Sequence, residues 1–383
     1  MTTQTLQKIG FQHVGSFLRP EALKEARQSF AAGNITAEEL EGVENAAITE
    51  LVNKEVEAGL DVVTDGEFRR SYWHLDNFWG FDGVERFNYG EGYFFAHEET
   101  RDDSARLTGK LGFNADTHPF IQHFKFVKAL ADEAGVAAKI TIPSPSQFYG
   151  ELSRGVHVER IAEHYDSNEE LFEDIKRVYH EEILALYNAG ARTVQLDDCT
   201  WGLLVDPKFK DVYAATGFDI NDLKRLYLDL NNGAIADLPD DLTINTHVCR
   251  GNYHSDWATS GGYDDVADEL FGQENVTNYF LEYDSERAGG FAPLAKVSGD
   301  KQVVLGLITT KSGELEDKGT IIARIHEATK YLPLDRLWLS TQCGFASTEE
   351  GNILTDAQQW AKLQLVKDCL LYTSDAADDG ESV

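Results

Sequence analysis

NEELFEDIKRVYHEEILALYNAGARTVQLDD (residues 168–198) decides the fold. Its first part carries apolar residues at helical spacing and runs to Gly190, a usual helix stop. It then hands over to TVQLDD (193–198), a short apolar run that ends in two acids. The same alternation extends in both directions. Further candidate strands are FQHVGSF (11–17), LDVVTDGE (60–67), AKITIPS (138–144), LTINTHVC (242–249), NYFLEYD (278–284), QVVLGLITT (302–310) and RLWLSTQCG (336–344). Most are continuous apolar runs, as expected of strands covered on both faces. Helical patterns stand between them, for example residues 35–59, which also end at Gly, and 317–332. Eight strands alternating with helices predict an α/β fold, a (β/α)8 TIM barrel. An open doubly wound sheet is the competing architecture.

No Pro/Gly/Ser-rich linker divides the chain, so residues 1–368 are expected to form one barrel domain. Residues 68–118, beginning FRRSYWHLDNFWGF, are too long for a plain connection after the second strand. They are expected to be an insertion that covers the barrel mouth. CLLYTSDAAD (369–378) resembles the conceptual translation of a sequencing adapter, so residues 369–383 are expected to be a non-native tail.

The 383 residues hold 34 basic and 66 acidic side chains, a net charge of -32. Such a field repels phosphate backbones and anionic membranes, which argues against nucleic-acid and membrane partners. A solvated, self-repelling surface explains the charge, and a salt-adapted source would fit it too. No apolar run is long enough to span a bilayer and no signal peptide is visible, so a cytoplasmic location is expected. Four cysteines, Cys199, Cys249, Cys343 and Cys369, do not make a disulfide framework in a chain of this length.

Barrel enzymes gather their chemistry at the C-terminal ends of the strands. His247 and Cys249 end the fifth strand, and their two-residue spacing puts both on one face. Glu282 lies near the end of the sixth strand, with Asp284 as a rival, and Cys343 ends the eighth. A strand-end cysteine alone is usually a small buried hydrophobe, and such a histidine usually a core residue. Together one imidazole, two thiolates and one carboxylate suit tetrahedral Zn2+. A substrate thiol on such an ion is deprotonated near neutral pH yet stays nucleophilic, which suits alkyl transfer to sulfur.

VGSF (14–17), DGE (65–67), QLDD (195–198), HVC (247–249) and STQCG (340–344) stand in an order that resembles the cobalamin-independent methionine synthases, specifically their C-terminal catalytic barrel. The resemblance covers the chain to about residue 368. It implies a zinc site of His247, Cys249, Glu282 and Cys343, and methyl transfer to homocysteine to give methionine. It also implies that Ser16 holds the amino-acid end of homocysteine, and that Glu67 and Asp197 bind its ammonium. The competing reading pairs those acids with Arg69, Arg70 or a helix N-terminus.

On the donor side Arg106 and Leu107 align with a pair that contacts methyltetrahydrofolate, and Tyr149 with an aromatic that stacks on the pterin. A plain core tyrosine is the alternative. Lys311 stands at the place of the family's proton-donating histidine and is the candidate catalytic acid if desolvation lowers its pKa, with an exposed salt-bridging lysine as the alternative; Leu203 replaces a folate-side acid, and the family's extra N-terminal barrel has no counterpart in this sequence. The expected donor is 5-methyltetrahydrofolate. A methylcorrinoid protein, another methylated compound, another thiol acceptor, or a non-catalytic zinc- and thiol-binding role are the alternatives.

Overall fold

The computed structural model describes residues 11–216 and 219–378. Among the described residues there are ten strands: β1 (Val62–Val63), β2 (Asp82–Asn88), β3 (Asp103–Gly112), β4 (Ala137–Ala138), β5 (Ile140–Pro143), β6 (Thr193–Asp198), β7 (Thr243–Val248), β8 (Asn278–Glu282), β9 (Gln302–Ile308) and β10 (Leu337–Thr341). Strands β5 to β10 form one parallel sheet in sequence order. β1 pairs in parallel with β4, which precedes β5 by one residue. Two single-residue parallel bridges, Phe11 to Leu339 and Gln12 to Val62, carry the pairing on from β10 to β1. Eight parallel segments therefore follow one another in a ring, as the alternation predicts.

The helices form for local reasons. Helix Ala37–Ala58 starts at a reciprocal cap, where Glu39 N donates to Thr36 Oγ1 and Thr36 N to the Glu39 carboxylate. It stops at Gly59, whose φ of 88° favours glycine. Ile48, Leu51, Val52 and Glu55 form its buried stripe. Helix Asn168–Asn188 is capped by Ser167 and buries Leu171, Ile175, Val178, Tyr179, Glu182, Ile183 and Leu186.

The strands carry two kinds of side chain. Val194, Leu196, Ile244, Leu281, Val303 and Leu339 belong to the main core. Alternate positions form a second set. There Val14, Phe280 and Val304 make a small apolar plug against Trp338, while Lys139 bonds to Gln195, and Asn278 to Asn245.

The first two expected strands are much shorter than their apolar runs. Residues 11–17 contribute only two bridges, and 60–67 only Val62–Val63. After Val63 the chain turns through Gly66 and Glu67, at φ 63° and 61°, which no strand accommodates. The long segment holds helix Leu75–Phe78 and the antiparallel hairpin β2–β3. It leans on the loops that follow β7 and β10: Ala96 N donates to Trp257 O (2.8 Å), Trp73 N to Ser347 O (2.9 Å), and Arg101 pairs with Glu349 and Glu350. Of the expected tail, the helix Asp356–Asp378 includes Cys369 and Leu370, both buried. Residues 379–383 and the side chains of 371–378 lie outside the described residues.

Glu182 anchors the insertion by accepting from Asn77 Nδ2 at 2.7 Å. Burial pushes its pKa up to about 8, against smaller opposing contributions from Asn77 and Arg70. A raised carboxyl pKa means the folded chain holds a proton that the unfolded chain has released. Stability from this group is thus full below the unfolded value near 4.5 and falls until pH passes 8. Glu182→Gln removes that loss. Its melting temperature relative to wild type is expected to rise by roughly 2–4 °C between pH 5 and pH 8.5. A constant difference in thermal melts across that range would refute the assignment.

Candidate metal and thiol site

His247 lies in β7 and Cys249 one residue beyond it, Glu282 closes β8, and Cys343 follows β10 by two residues. All four are buried, and their ligand atoms lie within 4.8 Å of one another. The sulfurs of Cys249 and Cys343 are 3.8 Å apart. Two sulfurs each about 2.3 Å from a tetrahedral ion would be separated by about 3.8 Å. His247 Nδ1 faces Phe280 O at 3.2 Å, whereas its buried Nε2 has no hydrogen-bond partner. That arrangement fixes the Nδ1–H tautomer and leaves the Nε2 lone pair for a ligand. Glu282 Oε1 accepts from Arg250 N (2.8 Å), and Arg287 lies 3.4 Å from Oε2. The residues fit a metal ion.

The electrostatics agree. The neighbouring Cys199 and Cys343 thiols, together with His247, pull the Cys249 thiol well below its ordinary range despite burial. Burial works against a charged His247, yet the Cys249 sulfur beside it raises its pKa to about 9. Burial, then Cys249, raises Glu282 to about 7. Four groups that cannot carry their charges independently in one dry pocket are a frequent mark of a functional centre. Cys199, half-buried directly after β6, is a residue that the sequence reading left without a role. Its strand-end position was the available signal.

The expected amine-binding residues converge nearby. Asp197 and His247 are register partners on β6 and β7. Burial raises Asp197 to about 7; nearby His247 opposes that shift and Glu67 adds to it. Glu67 sits at φ 61° and is 3 % exposed. Its Oε1 accepts from Thr141 Oγ1 (3.0 Å), and its buried Oε2 has no partner. A strained, buried carboxylate with a spare oxygen is typical of a binding site. Of the competing partners, Arg69 pairs with Glu44, and Arg70 donates to Thr141 while standing 3.7 Å from Glu67 Oε1. Ser16 Oγ accepts from Ala346 N at 3.2 Å. A Cβ at Gly344 would lie 2.0 Å from that oxygen, so this close approach requires glycine. The buried Arg19 ties the region together by donating to the carbonyls of Phe17, Glu67, Arg70 and Ala346. Sequence reasoning missed Arg19, because its partners are distant carbonyls.

The expected donor-side residues are engaged elsewhere. Arg106 pairs with Glu85 (2.6 Å) and lies over Phe87, Leu107 is buried in the main core, and Tyr149 packs edge-on against Phe172. Leu203 is half-buried in helix Thr200–Val205. Lys311 Nζ donates to Gly251 O (2.9 Å), Asn252 Oδ1 (3.1 Å) and Asp256 O (2.9 Å), clamping the loop behind Cys249. No helix among the described residues is long and apolar enough to cross a membrane.

The parallel strands follow one another in a ring and gather a thiol-rich cluster at their C-terminal ends, the end at which barrel enzymes carry their chemistry. The family described as "Cobalamin-independent synthase, Catalytic domain" matches residues 11–77 and 159–362. YxjH of Bacillus subtilis (strain 168), itself uncharacterized, is 48% identical over 371 residues, spanning 96% of this chain and 95% of its own. A methionine synthase of Sulfolobus acidocaldarius is 23% identical over 337 residues, covering 86% of this chain and 84% of its own. The crystal structure of a candidate vitamin-B12-independent methionine synthase from Listeria monocytogenes is 37% identical, with a TM-score of 0.74, over 96% of this chain and 99% of that one. The chain belongs to the cobalamin-independent methionine synthase family and is a methyltransferase.

Proposed function

We propose that the protein transfers a methyl group to the thiol of homocysteine, giving methionine, with Zn2+ held by His247, Cys249, Glu282 and Cys343. The observation that carries this reading is a pair of buried atoms without a hydrogen bond, His247 Nε2 and Glu67 Oε2, on two residues whose charges both bear on the Asp197 carboxylate. Bound zinc supplies the Lewis acidity that keeps a thiol deprotonated near neutral pH.

The chain's own residues do the rest. Glu67 and Asp197 take the substrate ammonium, and the loop carrying Ser16 takes its amino-acid end. The sulfur is thereby held on the side of Cys249 and Cys343. Fixing both ends of a small substrate removes much of the entropic barrier to in-line attack. As the sulfur–methyl bond forms, the bond from methyl to donor breaks, and the leaving atom takes a proton. Lys311 is assigned that proton, by its place behind Cys249 and its electrostatic influence on Glu282 and Cys343. Lys311→Ala is expected to lower kcat by about 10²–10⁴-fold, as for loss of a general acid, with zinc content and KM for homocysteine retained. Unchanged turnover would leave the lysine as a loop clamp only.

The favoured donor is 5-methyltetrahydrofolate. A methylcorrinoid or another small methyl donor is a second reading, favoured by the engagement of Arg106 and Tyr149 within the insertion and its supporting helices. The test supplies zinc-loaded enzyme and homocysteine with each donor and measures methionine by mass spectrometry. Methionine from one donor identifies it. Retention of homocysteine without methionine from any donor would point to a binding protein.

A further inference from the structure

We propose that Lys139, enclosed within the barrel, is a positioning residue that fixes the amine-binding carboxylate of Asp197 through the carboxamide of Gln195. The inference rests on the homocysteine reading above and adds residues that the reading does not use. Lys139 stands between β4 and β5 and is 1 % exposed. Its Nζ donates to His13 O and to Gln195 Oε1, the latter at 2.8 Å. Gln195, in β6, is fully buried. Its Nε2 donates to Val14 O at 2.7 Å and to Asp197 Oδ1 at 2.8 Å. The lysine also lies 4.5 Å from the centroid of the Phe280 ring, against the apolar plug.

The chemistry of these groups dictates the direction of the relay. A lysine ammonium only donates, so it demands the oxygen of the Gln195 carboxamide. The carboxamide nitrogen must then face Val14 O and Asp197, which are both acceptors. A flipped amide would set N–H groups against the lysine and an oxygen against two oxygens. Lys139 thereby selects one sense of the amide, and the amide holds one rotamer of Asp197. Burial lowers the Lys139 pKa to about 7, whereas Asp197, Glu55 and Glu67 support its charge. Two of these carboxylates, Asp197 and Glu67, are those that the substrate ammonium would meet. In a dry interior an unmade bond in such a chain is expensive, which is why each member has a defined partner.

The test compares two thiols on the zinc-loaded enzyme by isothermal titration: L-homocysteine, and 4-mercaptobutanoate, which has the thiol and carboxylate but no amine. Wild type is expected to favour homocysteine. In Gln195→Leu and Lys139→Met that preference is expected to fall by roughly tenfold, with 4-mercaptobutanoate affinity unchanged. Gln195→Glu is the isosteric companion, because it keeps the acceptor for Lys139 but sets oxygen against Asp197. It is expected to melt lower than wild type yet remain folded, and to lose the preference. An undiminished preference in a folded Gln195→Glu or Gln195→Leu protein would overturn the relay. Equal loss of both thiols would also overturn it, as the mark of a purely structural role. A wild-type enzyme that does not distinguish the two thiols would refute the homocysteine reading itself, a result visible before any variant is made.

Discussion

Cys343→Ser is expected to release the metal and abolish methyl transfer. The side chain is 4 % exposed, and its sulfur is 3.8 Å from that of Cys249. Serine changes little in volume, and the local backbone is held independently by Thr341 Oγ1 donating to Cys343 O at 2.7 Å. The fold should therefore survive. What is lost is a thiolate, and a serine hydroxyl near pH 7 is a poor replacement. Even groups that only orient ligands contribute about 10–100-fold to metal affinity, so loss of a ligand should exceed about 100-fold. Elemental analysis after dialysis against a chelator should find about one zinc per chain in wild type and almost none in the variant. Turnover should fall in parallel. A variant that kept full zinc would remove Cys343 from the centre.

The second large effect belongs to the substrate side. Glu67→Gln keeps the shape of the side chain and the bond from Thr141, but removes the carboxylate proposed to bind the ammonium. A hydrogen bond to a charged partner contributes about 1.5–3 kcal/mol, which corresponds to a rise of about 10–150-fold in KM for homocysteine. Zinc content should not change, and kcat should change far less than KM. Steady-state kinetics with homocysteine as the varied substrate checks this. An unaltered KM would mean that Arg70, 3.7 Å away, is the true partner of Glu67.

The two sites differ in how openly the sequence displays them. The four candidate ligands follow from a general rule, because strand ends in a barrel converge and His-x-Cys puts two ligands on one face. β6 matches its apolar run to the residue, and β7 lies one residue inside its run at each end. The first two strands were legible only as positions in the ring. FQHVGSF and LDVVTDGE read as long strands, but most of each is given to docking Ser16 beside Gly344 and to turning Glu67 into the site. Local propensity does not register such tertiary demands. A segment as long as 68–118 commonly carries a hairpin, but the strands of this one could not be placed, since they show no clean apolar alternation. Lys139 and Gln195 are 56 residues apart, and each looks like an ordinary polar residue until the ring brings them together.

The ring is unevenly stitched. Six strands, β5 to β10, are paired along several residues each, whereas the sector of residues 11–12 and β1 is joined to its neighbours by single bridges and a two-residue ladder. The metal-side groups project from the densely laced sector, and Ser16 and Glu67 hang from the sparse one. The candidate ligands thus stand where the backbone ladder is dense, a frame that holds four electron-pair donors in register. On the sparse side a single side chain does the work of the missing ladder: Arg19 binds the carbonyls of Phe17, Glu67, Arg70 and Ala346 into one piece.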